Sequence, residues 1–231
     1  MKHFLFIILL YLPLCIYAQN DWELPKAEVN KKDSFSNNKA NSAKDIEDEN
    51  LILESNEREN YFKRYIAKGT VPEINGMVQW TYEADVPGKS KQQIYNAALN
   101  FLNNYSKADN QLEGSGVSLI NKKDCTIAAR IKQWLVFKDQ FLFLDRTKIN
   151  YTIVVYCSDG HIKITMSHIS YKYGEERYDG GEFYKAEELI TDKYAIRKKS
   201  RKLRGKIGKF RKKTIDLKDQ IFQMITASVS Q

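Results

Sequence analysis

An Asp-Gly pair at residues 159–160 constrains the fold of this chain more than any other local feature. The pair favours the two-residue type I′ turn of a β-hairpin. A turn of that length pairs apolar or thiol side chains across one face of the hairpin: Cys157 with Ile162, Val155 with Ile164 and Ile153 with Met166. A slip of one residue would bring Lys163 onto this face. The turn and the hydrophobic pattern therefore predict the same register.

Residues 78–86 alternate between apolar and polar side chains, which is the period of a strand with one buried face. The Pro-Gly pair at 87–88 ends this strand. Ser90 and Gln93 then form the Ser-x-x-Gln pattern of a helix capping box, and apolar residues at helical spacing continue to Tyr105. Further strands are predicted at 117–120, 125–137, 141–144 and 151–156, with a turn at 138–140.

The C-terminal quarter is predicted to contain a Tyr- and Gly-rich loop at 174–185, a short helix at 186–190, a basic stretch at 193–213 and an amphipathic helix at 214–228.

The basic stretch holds twelve Lys or Arg and no Asp or Glu, whereas residues 21–60 hold eleven acids and six bases. The formal net charge of +8 therefore describes neither end of the chain. A solvated helix or linker is one interpretation of the basic stretch, and an anion-binding surface is the other. The candidate anion-binding residues are Arg197, Lys198, Lys199, Arg201, Lys202, Arg204, Lys206, Lys209, Arg211, Lys212 and Lys213.

Residues 1–18 have the pattern of a signal peptide, because a charged start precedes a short apolar run and Ala18 offers a small residue at the cleavage point. The run is too short for a comfortable membrane span. A lipoprotein leader ending at Cys15 is the alternative, which Leu14 disfavours because that peptidase prefers a small residue before the cysteine. We therefore expect an exported protein, periplasmic or secreted, without an integral membrane segment after cleavage.

The rest of the chain divides by composition. Residues 19–70 are rich in Asn, Lys, Glu, Ser and Asp and predict a flexible acidic spacer, with at most a marginal helix at 45–66. Residues 71–173 are predicted to form a domain of strands and a helix. Residues 174–231 are predicted to add the loop, the basic segment and the C-terminal helix.

Cys125 and Cys157 are the cysteines that follow the leader. If the strands on either side of residue 141 pair antiparallel around it, Cys125 lies opposite Cys157. A disulfide between them is one prediction for an exported protein, and two buried free thiols are the other. The chain has no Cys-x-x-Cys pair, so we expect no zinc site, and we expect no other metal or cofactor.

Several phrases of the sequence carry a family resemblance, at residues 71–76, 86–90, 142–150, 169–177, 186–193 and 208–219. Together they resemble exported Bacteroides-type proteins that carry domain of unknown function 4468, over roughly residues 71–231. The resemblance implies an α+β fold similar to the TATA-binding protein, with a curved antiparallel sheet in the order β-α-β-β-β-β-α and helices on one face. A helical, basic C-terminal extension would follow this fold. The resemblance implies no activity, and a shared fold does not by itself imply DNA binding.

No motif of the sequence points to catalysis. The Gly-Lys-Ser triplet at 88–90 lacks the upstream glycine of a phosphate-binding loop, because Glu83 holds that position. We therefore expect a non-enzymatic module for binding or assembly in the cell envelope, with an envelope protein or an anionic surface as its partner and no nucleic acid. Peripheral binding to anionic lipid or glycan through residues 193–213 is the first alternative. An unrecognised hydrolase that uses Asp145, Arg146 or the acids of 175–188 is the second.

Overall fold

A computed structural model of the chain describes residues 55–141, 143–175, 178 and 180–231. The predicted signal peptide, residues 1–18, and the first part of the predicted spacer, residues 19–54, lie outside the described residues. Within the described residues, no helix combines the length and the apolar character that a membrane crossing requires.

One antiparallel sheet forms the centre of the fold. Its strands run in the order β3-β7-β6-β5-β4, and a short strand, β8, pairs with the second half of β7. A separate hairpin of β1 and β2 precedes the sheet. The strands are β1 (Glu73–Ile74), β2 (Met77–Val78), β3 (Trp80–Asp85), β4 (Gly116–Asn121), β5 (Thr126–Gln140), β6 (Phe143–Ser158), β7 (His161–Tyr173) and β8 (Glu182–Lys185).

Helices cover one face of the sheet. The helices are α1 (residues 55–65), α2 (Lys91–Tyr105), α3 (Ala186–Leu189), α4 (Asp192–Ala195) and α5 (Gly205–Ser230). Helices α2 and α5 pack against each other and against the central strands. Their apolar stripes meet the alternate residues of the strands, so that Ile94 and Leu102 of α2, Ile221 of α5, and Ile127 and Ile153 of the sheet are fully buried. Each such side chain contributes about 1.5–3 kcal/mol of hydrophobic stabilisation.

The two local patterns on which the sequence argument rests are confirmed. Strands β6 and β7 pair Ser158 with His161 and Cys157 with Ile162, which is the predicted register of the Asp-Gly hairpin. Ser90 caps α2, and its backbone N–H donates in return to the side chain of Gln93 at 2.8 Å. The predicted fold class, an antiparallel α+β fold with helices on one face of the sheet, is also confirmed.

Three predicted boundaries within the sheet and its extension are wrong. Strand β5 continues through the predicted turn at 138–140, and its hairpin with β6 turns after Gln140. The predicted loop at 174–185 contains β8, because Tyr171, Tyr173 and Tyr184 pack around the ring of Phe210 and hold this segment against β7. Helix α5 begins at Gly205 rather than at 214, and the basic stretch before it is divided between α4 and a loop.

The structure adds detail at both ends of the predicted domain. Residues 55–65, where the sequence predicts a marginal helix within the spacer, are helical, and Tyr65 and Ile66 are buried in the core. The C-terminal helix packs on the sheet, because Ile215 and Ile225 of α5 belong to the same core. The composition of α1 gives little sign of this packing, since its outer face is mostly charged and only its last turn is buried.

Candidate functional surfaces

A loop between α4 and α5 carries most of the predicted anion-binding residues. Backbone hydrogen bonds close it, from the N–H of Arg197 to the carbonyl of Lys202 (2.9 Å) and from the N–H of Arg204 to the carbonyl of Ala195 (2.8 Å). Leu203 anchors it, with its Cβ so close to Gly208 that any larger residue at 208 would collide with it. We call residues 197–206, which comprise this loop and the first two residues of α5, the basic loop.

The cations of the basic loop point into solvent. Its exposed cations are Arg197, Lys198, Lys199, Arg201, Lys202, Arg204 and Lys206. Within the described part of the chain, none of these side chains forms an ion pair with a carboxylate, although the guanidinium of Arg201 lies 5.0 Å from the ring centre of Phe62. A concentration of unpaired positive charge on a fixed backbone is suited to binding an anionic partner.

Arg211 does not belong to this surface, which corrects its assignment as an anion-binding residue. Its side chain is completely buried, and its Nε and Nη1 donate to the carbonyls of Tyr65 (2.7 Å) and Ile190 (2.8 Å). The carboxylate of Asp192 lies 2.8 Å from Nη1. Burial lowers the pKa of Arg211, and the hydrogen bond with Asp192 opposes this shift. Arg211 therefore satisfies, as a hydrogen-bond donor, the backbone carbonyls at the ends of α1 and α3, where helices leave acceptors unpaired.

Lys209 is likewise occupied inside the protein. Its Nζ donates to Asp145 Oδ2 at 2.6 Å and lies 4.5 Å from the ring centre of Phe137. Lys212 and Lys213 are half-buried, and Lys212 lies over the ring of Tyr65. Of the eleven predicted residues, the structure brings together seven in the basic loop and places Lys209 and Arg211 in internal contacts. The run of Lys and Arg in the sequence does not indicate which of these cations face inward.

The described residues proposed for a hydrolase do not all meet, since Glu187 and Glu188 line one depression with His168, whereas Asp145 and Arg146 do not line it. Asp145 accepts hydrogen bonds from Lys209 and from the hydroxyl of Tyr173, and Arg146 stacks over Trp134 with 3.8 Å between its Cζ and the ring centre. Glu187 accepts the backbone N–H of Val78 at 2.6 Å. Among the described residues no three metal-binding side chains cluster. Asp145, Arg146 and Glu187 therefore each have a structural partner.

Cys125, directly before β5, lies opposite Cys157 of β6, as the predicted register requires. The N–H of Cys157 donates to the carbonyl of Cys125 at 3.0 Å, and both side chains are buried free thiols. Burial raises the pKa of Cys157 to about 12. Of the two predicted states, the structure presents the thiol pair.

The face of the sheet opposite the helices is a second surface, which sequence reasoning missed. On β5 the odd-numbered residues face the core, so Arg130 and Lys132 face away from it. The β5–β6 register sets Arg130 opposite Thr152 and Lys132 opposite Asn150. Once that register is known, the polar residues of β5 and β6 that face away from the core can be placed side by side. The open-face groove, as we call it, comprises three adjoining depressions of about 400–540 Å³ that share lining residues.

A β-bulge in β7 shapes the middle of the open-face groove. The β6–β7 register shifts between Asn150 and Thr152, and His168 adopts a left-handed backbone with φ of 54°. The extra residue leaves His168 exposed on the open side, where its Nδ1 lies 3.0 Å from the hydroxyl of Ser167. Bulges and strained residues of this kind concentrate at functional sites. Only the bulge brings His168 to the exposed side of β7.

Charge is distributed unevenly over the open face. Lys148 and Lys172 both pair with Glu175, and the hydrogen bond from Lys148 holds the pKa of Glu175 below its usual range. Arg130 and Lys132 form no ion pair within the described residues. Positive charge without a partner is therefore concentrated on β5, in the centre of the face.

Comparison with known proteins gives a family but no activity. A family model described as a domain of unknown function (DUF4468) with TBP-like fold matches residues 80–172. A DUF4468 family protein of known structure from Bacteroides ovatus ATCC 8483 is 35% identical, with a TM-score of 0.66 over 74% of this chain and 95% of that chain. A TBP-like protein from Parabacteroides distasonis ATCC 8503 is 23% identical, with a TM-score of 0.57 over 70% of this chain and 97% of that chain, a likeness of fold alone. No curated protein matches the chain.

Proposed function

Because this chain belongs to the DUF4468 family, which has a TBP-like fold and no assigned function, we propose that it is an exported, non-enzymatic binding module that docks onto an anionic surface of the cell envelope through its basic loop. The proposal of export depends on the leader pattern at residues 1–18. The proposal of a binding role depends on the basic loop, where seven exposed cations stand within ten residues without a carboxylate partner in the described structure.

The exposure of the loop supports docking onto an extended surface. The loop joins α4 and α5, its cations are exposed, and its backbone hydrogen bonds hold Arg197 and Lys202 in place. Each Lys or Arg near an anionic lipid surface contributes about 1 kcal/mol, and this contribution decreases with salt. Several such residues together give a contact that is strong at low ionic strength and reversible at high ionic strength.

The test compares binding to vesicles of phosphatidylglycerol, vesicles of phosphatidylcholine and lipopolysaccharide, at 50 and 500 mM NaCl. The purified chain without residues 1–18 is expected to bind the two anionic surfaces and to release them at high salt. Four substitutions, Lys198→Gln, Lys199→Gln, Arg201→Gln and Lys202→Gln, should together weaken binding by up to about 4 kcal/mol, which is nearly a thousandfold.

A matched variant controls for net charge. Lys68, Lys107, Lys122 and Lys123 are exposed and lie outside the basic loop, so their replacement by Gln removes the same charge elsewhere. This control is expected to weaken binding far less than the loop variant. Equal weakening by both variants would show attraction by net charge alone. Absence of binding to either anionic surface at 50 mM NaCl would rule the proposal out.

A further inference from the structure

We propose that the open-face groove binds an acidic saccharide, a sugar chain that carries carboxylate or sulfate groups, with Arg130 and Lys132 as the residues that contact its charges. This site is distinct from the basic loop, and the proposal does not depend on the function proposed for that loop.

The groove is built for an anion at its centre. The depression around Lys132 has a volume of about 500 Å³ and is lined by more cations than carboxylates, the cations being Arg130, Lys132, Lys148 and Lys172 and the carboxylates Glu113 and Glu175. Glu175 pairs with Lys148 and Lys172, which leaves the two β5 cations for a ligand. Lys132 extends over the backbone of Gly114, where an added Cβ would lie 2.8 Å from its Nζ.

The spacing of the two cations suits a ligand with repeated charges. Arg130 and Lys132 are two residues apart on one strand, so their backbones are about 7 Å apart on the same face. A guanidinium binds a carboxylate or a sulfate through paired N–H donors, and an ammonium binds the same groups as a point charge. Two anionic groups on neighbouring sugars would therefore meet one cation each.

The remaining lining favours a saccharide among anionic ligands. The adjoining depression is lined by Ser118, Asn150, Thr152, His168 and Ser170, whose hydroxyl, amide and imidazole groups both donate and accept hydrogen bonds. Sugar hydroxyls require that mixture. Phe183 lies at the outer depression with 60% of its surface exposed, and it offers an aromatic surface against which a sugar ring can pack.

The same features disfavour the other anionic partners. An extended acidic peptide gains affinity from main-chain hydrogen bonds at a free sheet edge, whereas the face of β5 and β6 has its backbone groups paired within the sheet. A lipid surface contacts projecting segments, whereas Lys132 and Asn150 are half-buried within a depression. An acidic saccharide is the occupant that matches both the charge of the central depression and the polar lining of the depression beside it.

The test is calorimetric titration of the purified chain without residues 1–18 at 50 mM NaCl. The probes are tetragalacturonate, a sulfated tetrasaccharide, neutral maltotetraose and a tetraglutamate peptide. We expect at least one acidic tetrasaccharide to bind and maltotetraose to bind at least tenfold more weakly. Arg130→Gln and Lys132→Gln should each weaken the acidic saccharide about tenfold or more, because each removes a charged hydrogen bond. Glu175→Gln should tighten binding, since it releases Lys148 and Lys172.

Three controls separate the role of the groove from net charge, from the basic loop and from misfolding. Lys123→Gln removes one exposed charge away from the groove and should leave saccharide affinity unchanged. The fourfold basic-loop variant should bind the saccharide normally, so failure of vesicle binding and failure of saccharide binding are separate results. Thermal unfolding of each variant checks its fold, and the tighter binding expected for Glu175→Gln cannot arise from misfolding.

Defined outcomes would overturn the proposal. These are no binding of either acidic tetrasaccharide by the native chain, unchanged affinity in folded Arg130→Gln and Lys132→Gln, or loss of saccharide binding in the basic-loop variant. Tetraglutamate binding as tight as the saccharide, with the same dependence on Arg130, would identify an acidic-peptide site instead and would equally overturn it.

Discussion

Replacing Arg211 with Met should destabilise the protein far more than removing any cation of the basic loop. The guanidinium is fully buried and donates to two backbone carbonyls, those of Tyr65 and Ile190. A hydrogen bond from a charged donor contributes about 1.5–3 kcal/mol. The ion pair with Asp192 adds about 1 kcal/mol or less, because the Asp192 side chain is 40% exposed. Loss of one partner from such a buried group costs about 3–5 kcal/mol, which is the destabilisation we expect.

Urea unfolding followed by circular dichroism measures this loss. With a denaturant slope of about 2 kcal/mol per molar urea, the midpoint should fall by about 1.5–2.5 M. Asp192→Asn should cost about 1 kcal/mol or less, and Lys198→Met, on the exposed loop, should lie within about 0.5 kcal/mol of the native protein. A stable Arg211→Met variant that loses vesicle binding would refute this reasoning and would return Arg211 to the anion-binding set.

Three further predictions concern the sheet. Gly160→Ala should cost about 1 kcal/mol in urea unfolding, because Gly160 has a φ of 67° and its added methyl would meet only Val86, at an ordinary 4.0 Å; an unchanged midpoint would contradict the assigned turn. Gln133→Leu should lower the free energy of unfolding by about 2–3 kcal/mol, since the buried Gln133 Oε1 accepts hydrogen bonds from Tyr105, Tyr151 and Gln111. A decrease below about 0.5 kcal/mol would show that these donors find other partners. Cys157, with a pKa raised to about 12, should resist iodoacetamide at pH 8 in the folded protein and react after unfolding, as mass spectrometry would show. Its folded-state preference for the protonated thiol should stabilise the protein below about pH 9, and this contribution should disappear as pH rises towards 12. A Cys157→Ala variant should lack this pH dependence.

The sequence predicts those parts of the fold that local chemistry decides. The type I′ turn at 159–160 and the capping box of Ser90 need only near neighbours, so both are confirmed. The boundaries that failed depend on distant partners. Strand β8 exists because Phe210, in a remote helix, packs against its residue Tyr184, and α1 forms because its last turn enters the core at Tyr65.

The candidate surfaces divide in the same way. The run of cations at 193–213 identifies a basic segment. Only the fold shows that Lys198 lies in an exposed loop, whereas Arg211 lies on the buried side of α5. The open-face groove requires the pairing of Lys132 with Asn150, which joins residues from separate strands. The displacement of His168 arises from a bulge that has no signature in its own sequence.

Arg211 also sets the minimum length of a stable fragment. It links the first described helix to the last one, through the carbonyl of Tyr65, while the family model spans only residues 80–172. An excised 80–172 polypeptide would lose α5 and uncover the buried Tyr171, whose hydroxyl is hydrogen-bonded to Thr214 and whose ring packs against Phe210. Recombinant truncations should therefore start before residue 55 and retain the C-terminus, and shorter versions should aggregate on expression.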